Sequence, residues 1–177
     1  MPNSGWVNLT TFANVTGIGT NAWNSPQNAA LSDNNYANVG VANTTALSNY
    51  LRGLQLVASI PNNAIIDGIE CRIERKLDQA SAGGAGDYEV RLVKSGTIGG
   101  NNNGDNAAIP TADTYRTFGS PTDLWGRSWT FDDINASNFG TVYVVQIIAD
   151  VQTNVVRVDH TQLKIYYHFD SDMFLTI

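Results

Sequence analysis

A single cysteine, Cys71, stands in a chain of 177 residues, so no internal disulfide can form and no cysteine cluster can hold a metal. Charge is scarce as well. Charged residues make up 15% of the chain, against roughly 25% in ordinary soluble domains, and Asn, Thr, Ser and Gly fill the polar positions instead. With 10 Lys and Arg against 16 Asp and Glu the net charge is -6, which opposes nucleic-acid binding, since that requires clustered cations to displace counterions from phosphates. No apolar run approaches the ~18 residues of a membrane span, and Met1 to Trp6 shows no basic segment leading into an apolar core. These absences predict a soluble chain made in the cytoplasm, with no nucleic-acid or membrane partner. A sustained 3.6-residue period is also lacking; only Asp132 to Gly140, with an acidic start and a glycine stop, suggests a helical turn.

What is present is alternation. From Ile69 to Leu77, Ile69, Cys71, Ile73 and Leu77 fall on one side and Glu70, Arg72, Glu74 and Lys76 on the other. Only Arg75 breaks the apolar set, so the period is two and the segment is a strand with one dry and one wet face. Cys71, on the dry face, reads as a buried and inert thiol. Leu54, Leu56, Ala58 and Ile60 alternate before the turn at Pro61-Asn62-Asn63, making residues 50–60 and 64–77 candidate neighbours. Tyr88, Val90 and Leu92 oppose Glu89, Arg91 and Val93 after a Gly-rich connection at 81–86 that suits a hairpin. Residues 141–151 are apolar on both faces and read as a central strand, and 155–169 close the domain with Leu163, Ile165, Tyr167 and Phe169 on one side. The reading is all-β: an antiparallel β-sandwich of jelly-roll type with long Gly/Asn-rich loops, one domain over residues 1–169 followed by a tail at 170–177. Residues 95–108 form the longest such loop and are expected to lie exposed.

Chemistry is sparse. Asn101, Asn103 and Asp105 have the odd spacing of a calcium loop, yet Ala112 occupies the place of its bidentate glutamate. His160 and His168 are separated by roughly 26 Å along an extended strand, so that strand alone does not bring them to one metal. Glu70 and Glu74 share a face at about 13 Å, beyond the roughly 5 to 9.5 Å of paired glycosidase carboxylates, and are expected to pair with Arg72, Arg75 or solvent. No nucleophile elbow and no phosphate-cradling loop is present in the sequence. The expectation is a non-enzyme without catalytic residues, cofactor or metal. Trp6, Trp23, Trp125 and Trp129 are either sandwich plugs or sugar platforms, with Trp125 and Trp129 the candidates for glycan contact.

A longer series of residues carries a resemblance. Trp23 with Asn24 and Pro26, Asp33-Asn34-Asn35-Tyr36-Ala37, Tyr50-Leu51, Ile60-Pro61 with Ala64, Ile66, Gly68 and Ile69, Leu124-Trp125-Gly126, Ile134-Asn135, Phe139-Gly140, Val158-Asp159 and Ile165-Tyr166-Tyr167 together resemble β-sandwich structural proteins of tailed bacteriophages. The resemblance runs from Trp23 to Tyr167. It implies a virion component, first a capsid decoration or cement protein and alternatively a tail-fibre or baseplate module binding a receptor or carbohydrate. The partners implied are other copies of the chain, a trimer being favoured, virion proteins such as the major capsid protein, and in the alternative a host surface glycan. The tail carries Met173, Phe174, Leu175 and Ile177, worth roughly 1.5 to 3 kcal/mol each when buried; docking on a neighbouring subunit or on the lattice is expected of it.

Overall fold

The computed structural model describes residues 2–41, 44–57, 59–79, 83–148 and 154–170. The tail expectation, resting on Met173, Phe174, Leu175 and Ile177, lies outside the described residues. Ten strands are present in these segments: β1 (Val7–Val15), β2 (Ala37–Val41), β3 (Ala46–Leu47), β4 (Tyr50–Leu56), β5 (Ile65–Leu77), β6 (Ala85–Lys94), β7 (Thr97–Gly99), β8 (Thr114–Ser120), β9 (Gly140–Ile147) and β10 (Asn154–His168). All pairings between them are antiparallel.

They form two layers. In sheet I, β10 lies between β5 and a composite edge made of β2 and the start of β1, and β8 flanks β5. In sheet II the order is β1, β4, β9, β6, β7, with β3 also on β9. Strand β1 serves both layers, because Val7 and Asn8 pair with β10 whereas Leu9 to Val15 pair with β4. Such a strand makes the corner at which one sheet folds over the other.

Period-two patterning supplies the core. Ile69, Cys71, Ile73 and Leu77 of β5 and Val156, Val158, Leu163 and Ile165 of β10 face Leu51, Val90, Leu92, Tyr143, Val145 and Ile147 of sheet II in one apolar cluster. Cys71 is fully buried, and burial pushes its thiol up to about 12, so it stays protonated and unreactive. The one α-helix among the described residues, α1 (Phe131–Asn135), begins with a capping box in which Thr130 and Asp133 satisfy each other's backbone N–H. Asn135 then grips the β4–β5 connection by accepting from Ile60 N at 2.7 Å and donating to Ile60 O at 2.9 Å.

The all-β sandwich agrees with the sequence expectation, but two neighbour relations differ. Residues 50–60 and 64–77 do not pair: β4 belongs to sheet II and β5 to sheet I. Nor do β5 and β6 form a hairpin across residues 81–86. Strands β4, β5, β6, β8, β9 and β10 alternate between the sheets, as in a jelly roll, because connections that cross the sandwich bury both apolar faces against each other. Residues 95–108 are also less free than expected. Ser95 and Gly96, at φ +51° and +77°, make the tight turn into β7. The following residues then run along β6, where Asn103 N donates to Val90 O (3.0 Å), Asn106 N to Asp87 O (2.8 Å) and Val90 N to the Asn102 side chain (2.9 Å). They cover an edge that would otherwise expose unpaired backbone.

Arg75, the residue that breaks the dry face of β5, points into the core and pairs with Asp87 of β6 across the sandwich, Nη2 to Oδ2 at 2.9 Å and Nε to Oδ1 at 3.2 Å. Arg116 of β8 reaches the same carboxylate at 2.7 Å, and the Tyr143 hydroxyl donates to it. Asp87→Ala leaves a buried guanidinium without its counter-charge, and we expect it to lower unfolding free energy by roughly 3 to 5 kcal/mol. Asp132→Ala, at an exposed position, is expected to change it by under ~0.5 kcal/mol. Chemical denaturation of both variants checks the difference.

Candidate functional site

The wet face of sheet I gathers side chains from four strands. Register sets Asn8, Gln162, Arg72 and Thr117 in one row and His160, Glu74 and Tyr115 in the next, with Lys164 and Glu70 paired on the other side of the first. Because alternate residues share a face, these groups all project from the sheet together with Trp6, which immediately precedes β1.

Their polar atoms form a connected chain. The Tyr115 hydroxyl lies 2.8 Å from His160 Nδ1, and His160 Nε2 lies 3.0 Å from Asn8 Oδ1. Gln162 Nε2 donates to the same Asn8 oxygen at 2.7 Å, and Arg72 donates to Gln162 Oε1 from Nε (2.8 Å) and Nη2 (2.5 Å). With Tyr115 donating to Nδ1, the imidazole is neutral and gives its Nε2 proton to Asn8. Burial holds His160 below its ordinary value of 6.5 despite the opposing Glu74 charge, which fits that neutral form. Burial and then the Glu74 carboxylate raise the Tyr115 phenol, so it remains a donor.

Over this row runs an alternation of rings and cations. The Arg72 guanidinium sits 4.4 Å from the ring centroids of both Trp6 and Tyr115. Lys164 Nζ lies 5.6 Å from Trp6 and 4.9 Å from Tyr166, whose hydroxyl donates to Glu70 at 2.9 Å. At one end Tyr36 joins Lys76 and Asp113, with Lys76 Nζ 3.0 Å from both the Tyr36 hydroxyl and Asp113 Oδ2. Each cation both stacks on a ring and spaces it from the next, which holds the rings in a fixed strip.

The sequence-chosen residues fall elsewhere. Trp125 is fully buried, with Nε1 donating to Ile69 O at 2.8 Å, and Trp129 is buried against Phe139, with Nε1 donating to Leu124 O at 2.9 Å. Neither indole offers a face to a sugar; both plug the sandwich, because a tryptophan in the interior gains most when its N–H reaches a carbonyl. His168 pairs with Asp67 at 2.7 Å rather than with His160. Asn103 is turned to Asp123 and Asp105 to Arg116. Arg72 and Arg75 bond Gln162 and Asp87, so neither forms an ion pair with Glu70 or Glu74 among the described residues. Tyr115 carries no signal in the sequence reading, and Trp6, one of the four indoles considered there, is not of the pair favoured for glycan contact. Trp6 lies outside any alternating segment, and β8, Thr-Tyr-Arg-Thr-Phe-Gly-Ser, was legible only as a run of β-branched and aromatic residues.

The described residues thus define an antiparallel β-sandwich of jelly-roll type with an aromatic and amide-lined sheet face. No family model matches the chain, and no curated protein matches it in sequence. Among solved structures, one described as "CBM4 structure and function" is similar at 11% identity and TM-score 0.39, covering 90% of this chain and 93% of that one. A family 11 carbohydrate-binding module from Clostridium thermocellum, in complex with a beta-1,3-1,4-mixed-linked tetrasaccharide, is similar at 10% identity and TM-score 0.42, covering 94% and 99%. A third, "Structure of PfGH50B", matches at 12% identity and TM-score 0.40 over 92% of this chain but 24% of its own. Likenesses of this size carry no functional argument.

His160 makes stability dependent on acid. Its folded pKa lies below the unfolded 6.5, so its contribution is complete above pH 6.5 and is lost as pH falls through that value toward the lower folded one. We expect thermal unfolding to move downward in temperature as pH falls below 6.5, and His160→Gln to flatten that segment of the pH profile.

Proposed function

We propose that the chain is a non-enzymatic carbohydrate-binding module that receives a glycan on the wet face of sheet I. The observation that carries the reading is the fixed strip of Tyr115, Arg72, Trp6 and Lys164, ending on the buried Tyr166, beside the hydrogen-bonded chain of Asn8, Gln162 and His160. A sugar ring has an apolar C–H face and a rim of hydroxyl pairs. Indole and phenol rings accept the first, and planar guanidinium, amide and carboxylate groups bond adjacent hydroxyls of the second. Here those groups are already ordered by one another, so little side-chain entropy remains to be lost on binding. The low charge of the chain suits a neutral, hydroxyl-rich ligand better than a polyanionic one such as nucleic acid.

From the resemblance of the sequence to tailed-phage structural proteins we infer a tail-fibre or baseplate component of a virion surface, with a host surface glycan as its ligand. Assembly into a homo-oligomer and attachment to other virion proteins are part of the same inference. The capsid-decoration reading rests on that resemblance alone, whereas the glycan reading has a built surface to account for.

Affinity electrophoresis against a panel of soluble polysaccharides, including host-cell-surface preparations, tests the proposal. Trp6→Ala and Tyr115→Ala are each expected to weaken binding by roughly 1 to 2 kcal/mol, or about 5- to 30-fold, with circular dichroism unchanged. Ile148→Ser, an exposed control at the end of sheet II, is expected to bind like the parent. A parent chain that retards on no polysaccharide, or two alanine variants that bind like the parent, would refute it.

A further inference from the structure

Strand β8 is an edge of sheet I. It lies on β5 from Thr114 to Ser120 with no shift of register, and among the described residues no strand pairs with its other side. Which of its backbone groups are free follows from β5. Ile69 turns both of its groups toward the β8 side, since its N–H donates to Asp123 O at 3.0 Å and its carbonyl accepts from Trp125 Nε1. Alternation along β5 directs Cys71, Ile73 and Arg75 the same way, onto Phe118, Arg116 and Thr114. Tyr115, Thr117 and Gly119 are left with N–H and C=O groups directed away from the sheet, and these groups bond nothing among the described residues.

A row of unpaired donors and acceptors is a template for another chain, so proteins guard such edges. Two other edges of this sandwich are guarded. Residues 101–106 run along β6, and Asn24 exchanges backbone hydrogen bonds of 2.8 and 3.0 Å with Asn38 of β2. Strand β8 lacks the usual guards: Thr-Tyr-Arg-Thr-Phe-Gly-Ser contains neither lysine nor proline, and its ladder has no bulge. Its one charge, Arg116, points inward and is already matched by Asp87 and Asp105. Thr114 and Thr117 are exposed, so the fold leaves the edge open there.

We propose that β8 is the interface for a second copy of this chain, pairing β8 against β8, antiparallel, about a two-fold axis at Thr117. The choice of partner rests on the self-complementarity of the strand. Thr117 is its midpoint, so this register uses all seven residues. Thr117 then faces the partner's Thr117 and Tyr115 faces the partner's Gly119, which brings the free backbone groups of the two copies together in hydrogen-bonded pairs. Arg116 falls opposite the partner's Phe118, a cation beside a ring. The neighbouring register, centred on Arg116, sets two guanidinium groups directly opposite each other, which like-charge repulsion disfavours. A two-fold pair is self-complementary and closes as a dimer, in place of the trimer that the phage resemblance implies. Rotation about an axis normal to the sheet keeps both wet faces on one side, with their Tyr115 ends toward the axis. One long glycan can then touch both strips; that consequence rests on the carbohydrate reading, whereas the interface itself does not.

Sedimentation velocity of the full chain over a series of micromolar concentrations tests the interface without any sugar. The parent is expected to show a monomer–dimer equilibrium. Thr117→Pro removes the N–H at the axis while sparing the bonds to β5, and Thr117→Lys sets two ammonium groups opposite each other. Each is expected to weaken the dimer by roughly 10-fold or more with circular dichroism unchanged, the lysine variant guarding against a proline variant that fails to fold. Thr117→Cys puts two thiols on Cα atoms about 5.5 Å apart, within the roughly 4.4 to 6.8 Å that a disulfide spans. It is expected to cross-link in mild oxidant well ahead of Asp132→Cys, and the native Cys71 is buried and does not compete. A parent that stays monomeric throughout, a parent that forms a trimer, or a dimer that survives both Thr117→Pro and Thr117→Lys would overturn the assignment, as would a Thr117→Cys chain that cross-links no faster than the Asp132→Cys control. A dimer that forms as described in a chain that binds no polysaccharide upholds the interface and overturns the carbohydrate reading alone.

Discussion

Asp87 is the group on which the two layers depend. Its carboxylate, wholly buried on β6, accepts two hydrogen bonds from Arg75 of β5, one from Arg116 of β8 and one from Tyr143 of β9. A lone carboxylate in such a place is prohibitively desolvated, and it is tolerated because four hydrogen bonds from three residues, two of them cationic, surround it. Burial first, and then the Asp87 charge, push the Tyr143 phenol well above its ordinary range, which keeps that donor protonated. The clamp bonds sheet I to sheet II through directional contacts that an apolar core lacks, so it selects one sliding register of the sheets where hydrophobic burial alone would accept several.

That inner choice is felt outside. Arg75 follows Glu74 on β5, and Arg116 follows Tyr115 on β8, so a residue anchored inward leaves its neighbour aimed outward. The rings and amides on the wet face of sheet I therefore inherit their spacing from the clamp. The ladder of Tyr115, Arg72, Trp6, Lys164 and Tyr166 is drawn from β8, β5, β10 and the approach to β1, four stretches far apart in the chain.

The motifs behind the phage resemblance turn out to be joints of the sandwich. Asp159 occupies a bulge in β10 and accepts from Asp33 N at 3.4 Å and Asn34 N at 3.1 Å, so two segments 125 residues apart meet. Burial raises the Asp159 carboxyl even against those two donors. Trp23 donates to Asn49 O at 2.8 Å, and Asn135 holds Ile60. Residues of this kind report a fold and its turn geometry, which explains why the resemblance brought no reactive group with it.

Alternation alone determined that this chain is a stack of strands, which faces of β5, β6 and β10 are dry, that Cys71 is an inert core thiol and that Arg75 is out of phase. Each is a local consequence of side chains pointing to opposite sides of a pleated backbone. Only the tertiary structure decided which strands are neighbours, since β4, β5 and β6 are consecutive in the chain yet belong to alternating sheets, and nothing local encodes that crossing. It likewise decided that Trp125 and Trp129 are plugs while Trp6 is on the surface. An indole has the same composition in either place, and whether its ring is covered depends on strands contributed from elsewhere in the chain.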